Sequence, residues 1–120
     1  MKVFVYGSLK RGHYNHYLLK DQKFLREAKT KKEFSLYDLG SFPAMVENGS
    51  SSIVGEVYQV DKRALKDLDR LESHPHFYRR KEIQLDNGEK VLTYLLNEEY
   101  IPASKSKIIR NGKWQNYLKA

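Results

Sequence analysis

Apolar positions come in short alternating or continuous runs along most of this chain, and only one stretch carries a convincing helical repeat. The first run, Val3-Phe4-Val5-Tyr6 inside "VFVYGSLKRGHY", is β-branched and aromatic and predicts a buried strand that stops at Gly7-Ser8. "HYNHYLLK" predicts a short helix with Tyr14 and Leu18, and Tyr17 beside them, turned inward. "KFLREA" and "EFSLYDL" alternate as antiparallel strands do, the second through Phe34 and Leu36, with Leu39 following after a break in phase. "GSFPAMV" interrupts this pattern with Gly40 and Pro43.

"SIVGEVYQV" resumes it as a strand, in which Gly55 marks a bulge or the close approach of another backbone. Asp61 then stands as an N-cap before "KRALKDLDRLE", where Leu65, Leu68 and Leu71 recur every third residue and predict the main helix. "YRRKEIQL" and "EKVLTYLL" flank "DNG", and Asn87-Gly88 suits the positive backbone angles of a tight hairpin turn. The tail is polar around a turn at Asn111-Gly112. Its Ile108, Ile109, Trp114 and Tyr117 predict that it folds back onto the body. Strands outnumber helices without regular alternation. This predicts an α+β protein built on a mainly antiparallel, curved or barrel-like sheet with flanking helices.

Composition narrows the possible chemistry. At 120 residues the chain has room for one core, so residues 1–120 are expected to form a single domain. With no cysteine, disulfides, thiolate nucleophiles and cysteine-ligated zinc are excluded. No apolar run approaches the roughly 20 residues of a membrane span, and the N-terminus lacks a signal-peptide core, so the expectation is no membrane association and a cytoplasmic location. The net charge of +7 raises nucleic-acid binding, with Lys29, Lys31 and Lys32 gathered near Arg26. Glu27 and Glu33 interrupt that cluster, no RNA-recognition signature is present, and an edge strand guarded by lysines explains it equally well. Nucleic acid is therefore not the expected partner.

The glycines at 7 and 12 have the spacing of a phosphate-binding loop, but His13 and Tyr14 stand where that loop needs Lys and then Ser or Thr. His13, His16, His74 and His76 form only H-x-x-H and H-x-H pairs without a third ligand, so no metal is expected. No G-x-S-x-G elbow makes a nucleophile of Ser8. Glu72 stands apart: it lies where the leucine repeat ends, just before Ser73-His74-Pro75. There the negative end of the helix dipole is expected to raise its pKa and suit it to proton transfer.

The pairing of "YGSL" at Tyr6–Leu9 with "LDRLE" and "YRR", together with "GSFPAMV", "GEVYQV" and "NGKWQNY", resembles the γ-glutamylcyclotransferase-like family, particularly its γ-glutamylamine cyclotransferase and AIG2-like members. The resemblance implies a small β-barrel flanked by helices. It also implies a substrate-holding loop at Tyr6, Gly7, Ser8 and Leu9, Glu72 as the catalytic proton acceptor and Tyr78 as a pocket wall. Ser73 departs from it, because many relatives place glycine after the glutamate. The implied activity converts a γ-glutamyl amine or γ-glutamyl amino acid into 5-oxoproline and free amine, needs no cofactor and has a small-molecule γ-glutamyl compound as partner. In that setting Gly7 lets the substrate approach the backbone, and the N–H groups of Gly7 through Leu9 bind a carboxylate or oxyanion. The alternatives are a noncatalytic small-ligand-binding module or a basic nucleic-acid-binding module.

Overall fold

The computed structural model describes residues 1–101 and 107–114. In chain order the strands are β1 (Lys2–Val5), β2 (Lys23–Lys29), β3 (Phe34–Asp38), β4 (Pro43–Glu47), β5 (Val54–Gln59), β6 (Tyr78–Gln84), β7 (Lys90–Leu96) and β8 (Lys107–Ile108); one helix, α1 (Lys62–Leu71), lies between β5 and β6. A five-stranded sheet has the order β2-β5-β1-β7-β6, and a three-stranded sheet the order β4-β3-β8. All strand pairs are antiparallel except β1 with β7, which run parallel at Val3 and Leu92.

β1 is central, and its period-2 pattern divides the core. Val3 and Val5 face a cluster containing Leu65 and Leu68 of α1, whereas Phe4 and Tyr6 face a second cluster with Met45, Leu95 and Trp114. Burial on both faces explains why this strand reads as an unbroken apolar run. Gly55 in β5 is required by close approach, since a Cβ there would lie 2.3 Å from the Val5 carbonyl oxygen.

The mainly antiparallel α+β class holds, but the sheets do not close into a barrel. The edge strands β2 and β6 meet only through an isolated bridge at Thr30 and Leu85, beyond which no ladder forms. The flanking helices also reduce to α1 and two short 3₁₀ turns, His16–Leu19 and Glu98–Tyr100. In the first of these Leu19 is buried, while Tyr14 and Tyr17 are exposed, contrary to the expected inward face. A four-residue 3₁₀ turn has no α-helical stripe with which to bury both tyrosines.

"GSFPAMV" is not merely an interruption, because Pro43 opens β4, a position that asks no ladder hydrogen bond of proline. Asp61 caps α1 as expected, its carboxylate accepting from Ala64 N at 2.8 Å. The hairpin turn uses a positive φ at Gly88 alone, in a three-residue loop closed by Gly88 N donating to Leu85 O. The tail does return: Ile109 N donates to Leu36 O, Gly112 O accepts from Val54 N, and Trp114 is buried. Tyr117 and the rest of "QNY" lie outside the described residues. β2 is an edge strand with exposed Lys29 near its end, as the lysine-guarded reading of the basic cluster anticipates. No helix among the described residues is long and apolar enough to cross a membrane.

Candidate active site

Five segments converge on a cavity of about 230 Å³: the loop leaving β1, the end of α1, the entry to β4, the start of β6 and Tyr94 of β7. Strand β1 ends at Val5, and a turn closed by Lys10 N donating to Gly7 O follows. Among the described residues, the N–H groups of Gly7, Ser8 and Leu9 have no hydrogen-bond partner, so this turn offers three donors at the cavity wall. Backbone donors grouped in a turn favour anions.

The side chains of the same loop are engaged elsewhere. Tyr6 is buried; its hydroxyl donates to Tyr94 O at 2.6 Å and accepts from Met45 N at 3.3 Å. Burial holds its phenol well above its ordinary range, so it stays neutral. Ser8 Oγ accepts from Asn15 Nδ2 at 2.9 Å, and Leu9 packs in the core. A Cβ at Gly7 would lie 2.7 Å from Pro43 Cγ, so glycine lets the loop seat against the entry to β4.

Glu72 ends α1 as its C-cap, with its backbone N–H donating to Leu68 O. The next residue, Ser73, takes a φ of 53°, the left-handed conformation that glycine adopts most easily. Ser73 therefore makes a backbone turn that glycine would make without its conformational cost. The chain then returns through a cis His74–Pro75 bond to Tyr78, whose N–H donates to Glu72 O at 3.2 Å. The Glu72 side chain lines the cavity, and no described residue hydrogen-bonds or ion-pairs with its carboxyl. Burial raises its pKa to about 7; burial rather than the helix end is the cause.

Tyr78 lines the cavity. Its hydroxyl donates to Pro43 O at 2.8 Å, and burial pushes its pKa upward. The cavity thus brings together all six residues singled out in the sequence: Tyr6, Gly7, Ser8, Leu9, Glu72 and Tyr78. It also brings in residues to which the sequence reading gave no role in the site: Tyr14, Phe42, Pro43, Leu71, Phe77 and Tyr94. Leu71, the last of the repeated leucines, is exposed at the end of the helix, whereas Leu65 and Leu68 are buried. The histidines do not gather: His16 Nδ1 lies 2.9 Å from Leu9 O, His74 Nδ1 accepts from Arg80 N, and His13 stacks on Trp114. Among the described residues no three His, Asp or Glu side chains form a metal-binding group.

The likeness to known proteins extends over the same segments. A sequence model of the family described as "Gamma-glutamyl cyclotransferase, AIG2-like" matches residues 3–116. A protein of Methanocaldococcus jannaschii is 42% identical over 119 residues, covering 96% of each chain. One from Vibrio cholerae is 42% identical over 112 residues, covering 93% of each. Both are named "Putative gamma-glutamylcyclotransferase". Among solved structures, an AIG2-like protein from Mus musculus superposes with a TM-score of 0.81 at 26% identity, covering 95% of this chain and 87% of that one. On its sequence and its fold, the chain belongs to the AIG2-like gamma-glutamyl cyclotransferase family.

Proposed function

We propose that this protein cyclises a γ-glutamyl amine or γ-glutamyl amino acid to 5-oxoproline with release of the amine. The observation that carries this reading is the pairing, in one cavity, of a desolvated carboxyl and a turn with three N–H groups, neither of which has a hydrogen-bond partner among the described residues. The substrate's α-ammonium gives a proton to Glu72. The freed amine attacks the γ-carbonyl carbon and a C–N bond forms; as the bond to the leaving nitrogen breaks, Glu72 returns the first proton there and the attacking nitrogen passes on its second, so the lactam keeps one N–H and the amine departs as its ammonium ion. Nucleophile and electrophile are already tethered, so folding the substrate into a near-attack shape does much of the work. A carboxyl poised near neutrality serves both proton transfers.

The N–H groups of Gly7, Ser8 and Leu9 hold the α-carboxylate or the developing oxyanion, acting through the main chain. Tyr6 and Tyr78 stay protonated and shape the wall. Every step is assigned to residues of this chain, with no cofactor. Incubation with a panel of γ-glutamyl amines and γ-glutamyl amino acids, followed by 5-oxoproline detection, tests the reading. Release of 5-oxoproline from at least one member, lost in Glu72→Gln, is expected; hydrolysis to glutamate, or activity that persists in Glu72→Gln, overturns it.

A further inference from the structure

No described residue hydrogen-bonds with the Glu72 carboxyl, so its place in the cavity is set from the main chain outward. It sits at a weak point. The last turn of a helix frays readily, Leu71 beside it is exposed, and Ser73 after it holds a φ of 53°. Contacts from outside the helix must keep this corner in place.

Those contacts gather on Asp69, which lies three residues before Glu72 and on the same face of α1. Its Oδ1 accepts from Tyr94 OH of β7 at 2.6 Å, and its Oδ2 pairs with the Arg80 guanidinium of β6. Asp69 O accepts from His74 N at 2.9 Å, and His74 Nδ1 accepts in turn from Arg80 N at 2.9 Å. Glu72 therefore lies inside a closed circuit, from Asp69 to His74 to Arg80 and back, that ties both sides of the corner to β6. Tyr94 carries the circuit to the cavity, which it lines and where its carbonyl accepts from Tyr6 OH. Burial first, and Asp69 second, hold its phenol above the ordinary range, so it remains a donor.

We propose that Asp69 is the positioning residue of this site: by clasping Arg80 and Tyr94 it fixes the end of α1 against β6 and β7, which presents the Glu72 carboxyl to the cavity and limits its solvation. The consequence for turnover rests on the cyclotransferase reading, whereas the hold on Glu72 does not. The other titratable side chains of the cavity, Tyr6, Tyr14 and Tyr78, donate to the carbonyls of Tyr94, Ser41 and Pro43. Of the cations beside the corner in sequence, Arg70 pairs with Asp67 at 3.5 Å and His76 is exposed. Burial is what raises the Glu72 pKa to about 7, so a loosened corner that admits water lets it fall toward 4.5.

Asp69→Asn weakens the whole clasp. Tyr94→Phe cuts one arm and leaves both charges of the Asp69–Arg80 pair in place, so a fall there reports the hold rather than a lost charge. Glu47→Gln, which loosens Arg79 and Lys81 on the same strand, is the control. Folding of each is checked by thermal unfolding. Glu72 is titrated by NMR of isotope-labelled glutamate carboxyl carbons, its resonance identified by its loss in Glu72→Gln. The midpoint is expected to fall by at least about half a pH unit in Asp69→Asn, to fall less in Tyr94→Phe and to stay in Glu47→Gln. With a γ-glutamyl substrate, kcat of Asp69→Asn is expected to drop at least about tenfold with KM within about threefold, and the acid limb to move with the NMR midpoint. A midpoint unmoved in folded Tyr94→Phe, or moved equally in Glu47→Gln, overturns the role of Asp69 and leaves the cyclotransferase reading standing. Absence of turnover with every γ-glutamyl compound, together with the expected shifts in midpoint, sinks the cyclotransferase reading and keeps Asp69 as the residue that seats Glu72.

Discussion

Two glutamates flank the loop that leaves β1, and they differ in what meets their carboxyls. Glu56 on β5, 8% exposed, accepts from Arg11 N at 2.9 Å, Arg11 Nε at 3.4 Å and Tyr58 OH at 3.0 Å. Glu72 lines the cavity on the other side of the loop, with no donor from any described residue and a pKa raised to about 7. A carboxylate given donors is a fastener, here holding the loop to β5 through Arg11. One that loses water without gaining donors becomes a proton carrier near neutral pH. The same loop is thus clamped on one face and left open to a ligand on the other.

The largest expected effect comes from removing the carrier. Glu72→Gln keeps size and shape but cannot take a proton, so kcat for 5-oxoproline formation is expected to fall about 10²- to 10⁴-fold with the fold retained by circular dichroism. In Glu56→Gln the opposite division is expected. Stability falls by about 1–3 kcal/mol in denaturant titration, because buried donors lose part of their acceptor, while activity stays within about tenfold of the parent. Equal losses of turnover in the two variants would erase the functional distinction between the carboxyls.

Acidity sharpens the contrast. Activity is expected to rise with pH through about 7 as Glu72 ionises, and that limb is absent from the residual activity of Glu72→Gln. Stability runs the other way. A carboxyl whose folded pKa is raised from 4.5 to about 7 leaves the native state holding more protons than the unfolded chain between those values. The stability this contributes is complete below pH 4.5 and is lost as pH rises through about 7. Glu72→Gln is therefore expected to exceed the parent by about 1–3 kcal/mol at pH 8 and to match it near pH 4 in chemical unfolding.

Smaller effects probe the loop and the corner. Ser8→Ala removes the acceptor for Asn15 Nδ2 but leaves the main-chain donors, so a loss in kcat/KM below about tenfold is expected. A larger loss would give the hydroxyl a direct role. Ser73→Gly relieves the left-handed backbone, and a gain of about 0.5–1 kcal/mol in thermal unfolding with little change in turnover is expected.

Local patterns in the chain were enough for several elements. The apolar runs of β1 and β5, the alternation in β3, the Asp61 cap, the leucine repeat of α1 and the turn at Gly88 each arise from forces acting within a few residues, so they are readable one segment at a time. β4 was not legible as a strand, because Pro43 marks a break in isolation and is accommodated only as the first residue against β3. Tyr14 and Tyr17 misled because their inward placement assumed a helical period that the 3₁₀ turn lacks. The candidate residues Tyr6–Leu9, Glu72 and Tyr78 were named from motifs, yet their meeting in one cavity depends on β1, α1 and β6 packing together.

By itself, the sequence determined most of the strands, the capped helix ending at Glu72, the absence of thiol chemistry and the family to which the motifs point. Tertiary structure alone decided that the sheets stay open, that Gly7 is required by Pro43, and that, among the described residues, Glu72 meets no donor while Glu56 receives three. The division follows from range. Backbone propensity and capping act between neighbours in the chain, whereas desolvation, hydrogen-bond partnership and the placement of charge depend on groups that meet only when distant segments pack.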